Sequence, residues 1–123
     1  MGNFYQDNDD IRFLLKHINV AELADLAERG FRFAGQFDTA PATAEEALTN
    51  YDLVLDALGQ LSADFIAPRS EGIDREGSTL CEDGTVRYAA GIAESLQALA
   101  KADVMGFTLP HEYGGLNFPS LIY

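Results

Sequence analysis

His111 and Glu112, adjacent near the end of the chain, are the pair whose side chains most directly suggest acid–base chemistry. A histidine and a carboxylate can relay a proton, but only when both reach the same atom. Neighbours in sequence do not share a helix face, so this adjacency predicts a surface turn and not a proton-transfer pair. Metal chemistry has less to draw on. His17 and His111 lie nearly a chain length apart, and Cys81 is the only cysteine, so the close-spaced ligands of a zinc site are missing. Asp74, Glu76, Glu82 and Asp83 are rich in oxygens, yet their spacing does not match a calcium loop, and a solvated loop is expected. Cys81 sits beside Glu82 and Asp83, a setting that does not favour a nucleophilic thiolate. A single cysteine also forms no internal disulfide. The dinucleotide-binding glycine pattern, the phosphate loop and Gly-x-Ser-x-Gly are all missing. The residues by themselves therefore offer no catalytic set, no metal site and no cofactor site.

Charge narrows the partners. Twenty acidic residues against eight basic ones give a formal charge of −12. Nucleic-acid binding needs Lys and Arg to displace phosphate counterions, and no basic patch is available for it. Anionic membrane surfaces are disfavoured for the same reason. The most apolar stretch is interrupted by Asp52, Asp56 and Asp64, so no membrane span is expected. The opening Met1-Gly2-Asn3-Phe4-Tyr5 lacks the basic and apolar regions of a secretion signal, which makes the cytoplasm the expected compartment.

The elements that would position any site read as helices. Ile11, Leu14, Leu15 and Ile18 recur at helical spacing over residues 8–18, with Asn8 or Asp9 as cap. A second helix covers residues 20–29 with Leu23, Ala24, Leu26 and Ala27 as its stripe. Gly30 is placed to take the left-handed position after it. Phe31, Phe33 and Phe37 lie in an aperiodic connector. Thr43-Ala44-Glu45-Glu46 fits a capping box. The helix it opens should run to about residue 66, with Leu48, Tyr51, Leu55, Leu58 and Phe65 on one side. Pro68 is expected to end it. Gly59 inside it would mark close approach of a neighbour. Residues 68–85 read as a long polar loop, with Asp83-Gly84 as a tight turn before an extended Thr85-Val86-Arg87-Tyr88. The last helix spans residues 90–102, with Ile92, Leu96, Leu99 and Ala100 facing inward. Phe118-Pro119 then opens a further helical turn that has no stop signal, which suggests that the chain is a fragment.

The segment Leu109-Pro110-His111-Glu112-Tyr113-Gly114-Gly115 resembles the Leu-Pro-x-x-Tyr-Gly-Gly signature of flavin-dependent acyl-CoA dehydrogenases. Other landmarks stand in the same order as in one branch of that family, which includes methylthiopropanoyl-CoA dehydrogenases. They are Tyr5 ahead of Asp10-Ile11-Arg12-Phe13-Leu14-Leu15, then Ala67-Pro68, Asp74-Arg75-Glu76-Gly77 and Asp83-Gly84-Thr85-Val86. Residues 69–74 and 31–42 depart from the branch pattern. The resemblance implies an all-α, bundle-like N-terminal domain, with residues 1–42 as an N-terminal extension and 43–123 as the helical domain proper.

In that family FAD lies chiefly between a middle β-domain and a C-terminal helical domain, and a C-terminal glutamate removes the α-proton of an acyl-CoA. The resemblance therefore implies no catalytic and no cofactor-binding residue here, and an isolated domain without activity. Tyr113, Gly114, Gly115 and Leu116 would form a wall of the acyl cavity. Acyl-CoA and an electron-transfer acceptor are the partners implied for the full enzyme, and a homo-oligomer is its expected state. The competing expectation is a stand-alone helical protein-interaction module without catalytic activity. An independent small enzyme ranks below both, because no convergent acid, base or nucleophile is visible.

Overall fold

Side-chain caps start three of the helices. Asn8 Oδ1 accepts from the Ile11 amide at 3.1 Å, and Asn19 Oδ1 from the Glu22 amide at 3.3 Å. Thr43 Oγ1 accepts from the Glu46 amide at 3.2 Å. Each bond satisfies an amide that the first helical turn leaves without a partner. Glu46 reaches back as a capping box requires, but to the Ala42 amide, one residue beyond the expected Thr43. In the computed structural model, which describes residues 2–123, the chain is mostly helical. The helices are α1 (Asp9–His17), α2 (Val20–Ala27), α3 (Ala44–Leu61), α4 (Ala67–Glu76) and α5 (Ala90–Lys101). A short hairpin of β1 (Thr79–Leu80) and β2 (Val86–Arg87) separates α4 from α5.

Pro68 does not end the long helix. A π-helical turn at Ser62–Ile66 follows α3 directly, and the Ala67 amide bonds back to the Ser62 carbonyl. The wider turn lets the chain restart as α4 with Pro68 in its first turn, where a missing amide hydrogen costs nothing. Arg69 braces the junction: its guanidinium lies 3.5 Å from the Phe65 ring centroid and Nη1 donates to the Phe65 carbonyl at 2.7 Å. The expected loop at 68–85 is therefore helical as far as Glu76. Only the part from Gly77 onward is the turn-rich piece, and it closes a hairpin pairing Thr79 with Arg87 and Leu80 with Val86. Gly84 takes φ +82° in its turn. Asp83 Oδ1 accepts from both the amide and the hydroxyl of Thr85, which holds its carboxyl below the usual range.

α5 returns along α4. Glu76 supplies the cap that Ala89 cannot, accepting from the Ala90 amide at 3.2 Å. Gly91 lies against Ile73 so closely that a side chain there would collide with it. Arg69 and Glu94 tie the pair at 2.9 Å.

The core forms where α2 crosses α3. Ala24 and Ala47 are fully buried, and their small size lets the two helices approach, with Val20, Tyr51, Phe118 and Ile122 around them. Tyr51 and Phe118 meet edge to face at 4.6 Å. Thus Phe118 and Ile122, near the end of the chain, pack into the core. The N-terminal segment packs on α3 further along. The Phe4 amide donates to the Gly59 carbonyl at 3.1 Å, and Tyr5 Oη donates to Asp52 at 2.6 Å. Gly59 is required here, since a Cβ would strike the backbone of Tyr5.

Several expected stripes are less buried than their period suggests. In α1 only Leu15 packs against the core, and Ile11, Leu14 and Ile18 are exposed. Leu26 in α2 and Leu48 in α3 also face outward. In α5, Leu96 and Ala100 face solvent while Ile92 and Leu99 are half-buried. With so few layers, most helices have a neighbour on one flank only. Among the described residues no helix is long and apolar enough to cross a membrane.

Candidate functional site

Residues 106–118 form a closed loop that folds back on itself. Leu116, Asn117 and Phe118 donate amides to the carbonyls of Gly106, Leu109 and Phe107 at 3.2, 2.9 and 2.8 Å. The turn between is a 3₁₀ helix, His111–Tyr113, begun by Pro110. Gly114 leaves it at φ +80°, a left-handed conformation that glycine adopts without penalty. Gly115 is required for a different reason. A Cβ on it would overlap the carbonyl of Leu109. The two glycines therefore perform separate tasks, one setting a direction and one permitting contact.

The four residues expected to wall an acyl cavity do not share one environment. Tyr113 projects outward with 74% of its surface exposed. Gly115 is buried beneath Leu109. Leu116 is a ridge between two open hollows. One, of about 340 Å³, is bounded by Leu53, Val54 and Phe118; the other, of about 310 Å³, by Ala100, Met105 and Gly114. Leu116 and Gly114 thus line a common hollow, together with Met105, Thr39 and Asp103, and Tyr113 does not.

His111 departs furthest from expectation. It is not on the surface: it is buried at 6% exposure and bonded to Glu28, which is buried at 1%. Nε2 lies 3.0 Å from both carboxyl oxygens of Glu28. Nδ1 lies 2.9 Å from the Thr39 hydroxyl. Asn117 Nδ2 donates to Glu28 Oε1 at 3.1 Å and to the Ala27 carbonyl at 3.0 Å. With Nε2–H directed at Glu28, a neutral imidazole accepts from the Thr39 hydroxyl, and an imidazolium donates to it. The hydroxyl serves either state. Phe37 stacks on the ring at 5.6 Å, and Phe33 meets it edge-on at 5.8 Å. Glu112, by contrast, is exposed as expected.

The order Thr39–His111–Glu28 has the outline of a nucleophile, base and orienting acid. As chemistry it is incomplete. A catalytic centre of this type also needs donors placed to stabilise an oxyanion, and the hydrogen bonds of the cluster serve only to join its own members. The cluster is a clasp joining the end of α2, the 31–42 connector and the C-terminal loop. Its signal in the sequence is faint but real: Glu28 continues the spacing of the buried Val20 and Ala24. A carboxylate in core register needs a partner, because Glu is almost never fully buried unpaired.

Comparison with protein-family models, curated proteins and solved structures gives no match to this chain. Function must therefore be read from the residues and their geometry. Among the described residues no group of three or more His, Cys, Asp or Glu side chains is placed to hold a metal ion. Cys81 is free and only partly exposed, and its thiol faces the Thr79 carbonyl at 4.0 Å.

Proposed function

We propose that this chain is the N-terminal helical domain of an FAD-dependent acyl-CoA dehydrogenase that carries out α,β-dehydrogenation of an acyl-CoA thioester. The ordered landmarks from Tyr5 to Gly115 motivate the reading. The observation that carries it furthest is Leu116, held by the glycine-dependent loop between two open hollows in which apolar side chains such as Leu53, Val54 and Met105 stand beside polar ones such as Glu46, Asn50 and Asp103. A surface of this kind suits one wall of a channel for an acyl chain whose other walls come from further domains. Leu53 and Met105, 62% and 64% exposed, lie on either side of the ridge and fit the same role.

On this reading FAD is held by further domains of the complete enzyme. The domain's part is to shape and exclude water from the acyl end of the substrate. Covering the exposed apolar surface is also the reason to expect a homo-oligomer in the complete enzyme. The rival reading, a stand-alone interaction module, uses the same exposed surface for a protein partner.

The test uses the complete reading frame. Leu116→Ala should enlarge the channel and shift kcat/KM between short and long acyl-CoA substrates by about tenfold, the scale of a few methylene contacts. An unchanged chain-length profile in an active, folded variant would remove Leu116 from the substrate wall.

A further inference from the structure

A cavity of about 350 Å³ lies between the connector after α2 and the 3₁₀ turn at His111. Its lining includes Arg29, Arg32, Phe33, Phe37, His111 and Glu112. This is the lower end of the range of small-ligand cavities, about 300–1,000 Å³. The cavity is distinct from the hollows beside Leu116, and its chemistry is independent of the acyl-CoA reading.

Three features point to its occupant. The first is charge. The chain has eight cationic residues among 20 acidic ones, and two of the eight stand at this one cavity. Neither Arg29 nor Arg32 makes an ion pair or a side-chain hydrogen bond among the described residues, whereas Arg69 and Arg75 are paired with carboxylates. The second is backbone. Arg29 and Phe31 adopt φ +52° and +57° on either side of Gly30 at +72°. A non-glycine residue in that region costs about 1–3 kcal/mol and persists only where its surroundings hold it. Phe31 packs against the core and Glu28 is locked to His111 and Asn117, so Arg29 is fixed from both sides. The third is the wall. Arg32 lies over the Phe33 ring at 5.2 Å, and Phe37 stacks on His111.

Guanidinium groups read carboxylates in a plane through paired N–H donors. Aromatic faces favour a flat apolar body beside them. Glu112 on the same lining repels a second negative charge and accepts a hydrogen bond. We propose that this cavity binds a small aromatic monocarboxylate, its carboxylate on Arg29 and Arg32 and its ring against Phe33 and Phe37. A hydroxyl on that ring, directed to Glu112, completes the match.

The test is a titration of the purified chain with 4-hydroxybenzoate, followed by backbone amide NMR, with the methyl ester as the uncharged control. Saturable shifts confined to residues around 27–37 and 110–117, with the ester at least about tenfold weaker, are expected. The variant carrying Arg29→Asn and Arg32→Gln should lose about the same factor while keeping the far-UV circular dichroism spectrum. Asparagine is chosen at position 29 because it tolerates a left-handed backbone. Acid and ester binding equally, undiminished binding by the folded double variant, or no saturable shift at millimolar ligand would each overturn the proposal.

Discussion

Removing His111 tests whether the buried clasp holds the C-terminal loop to α2. In His111→Ala, among the described residues, Glu28 Oε2 loses its only hydrogen-bond partner and Oε1 keeps only Asn117. Breaking a buried carboxylate–imidazole pair by truncating one partner costs about 3–5 kcal/mol, because the remaining group stays in low dielectric without compensation. The vacated space between Phe33 and Phe37 adds a cavity penalty in the same direction. Against a typical domain stability of about 5–15 kcal/mol this is a large fraction. Urea unfolding followed by circular dichroism should show the midpoint fall with the slope unchanged. A double variant, Glu28→Met with His111→Phe, removes both polar partners while keeping volume, and should recover most of the loss. Glu28→Met alone should not, since His111 Nε2 would then be buried without a partner, Thr39 meeting only Nδ1. A loss below about 1 kcal/mol in His111→Ala would mean that the pair is solvated, and the clasp would have to be abandoned.

Gly115→Ala should destabilise by at least about 2 kcal/mol, because the new methyl group overlaps the Leu109 carbonyl and the loop must open; a variant as stable as the parent in thermal melts would show that the glycine is not needed for close approach. Burial and the Asp52 hydrogen bond push the Tyr5 phenol up to about 12 from its ordinary 10. A raised folded-state value means that this stabilisation is complete below pH 10 and fades as pH rises toward 12. Tyr5→Phe should therefore lose about 1 kcal/mol at neutral pH and show a shallower alkaline decline. Tyr51, also raised to about 12 by burial, keeps part of that decline. Equal alkaline slopes in the two proteins would refute the Tyr5 contribution.

Local signals in the sequence carry the local structure. Thr43 marks the start of α3, Gly59 the site of closest approach and Asp83-Gly84 the hairpin turn, whereas α2 ends two residues earlier than expected, at Ala27, and Arg29 ahead of Gly30 is the first left-handed residue after it. Pro68 misleads because its usual effect on the preceding helix is absorbed by the π turn at Ser62–Ile66, which no local rule announces. The clasp is hidden for a different reason. Its bond from His111 to Glu28 spans 83 residues, and sequence spacing speaks only to neighbours. Glu112 is the acid next to His111 in the chain, and Glu28 is the one next to it in space. The apolar stripes of α1 and α5 are periodic, but period alone does not say whether anything lies across from them.

Whether these residues belong to an acyl-CoA dehydrogenase is tested most directly by the flavin absorbance of the complete gene product. Residues 1–123 alone should purify colourless. The product of the complete reading frame should purify yellow, and anaerobic addition of acyl-CoA should bleach the flavin as the thioester is dehydrogenated. A complete product without flavin, or a flavin untouched by acyl-CoA thioesters of any chain length, would contradict that membership and favour the interaction module.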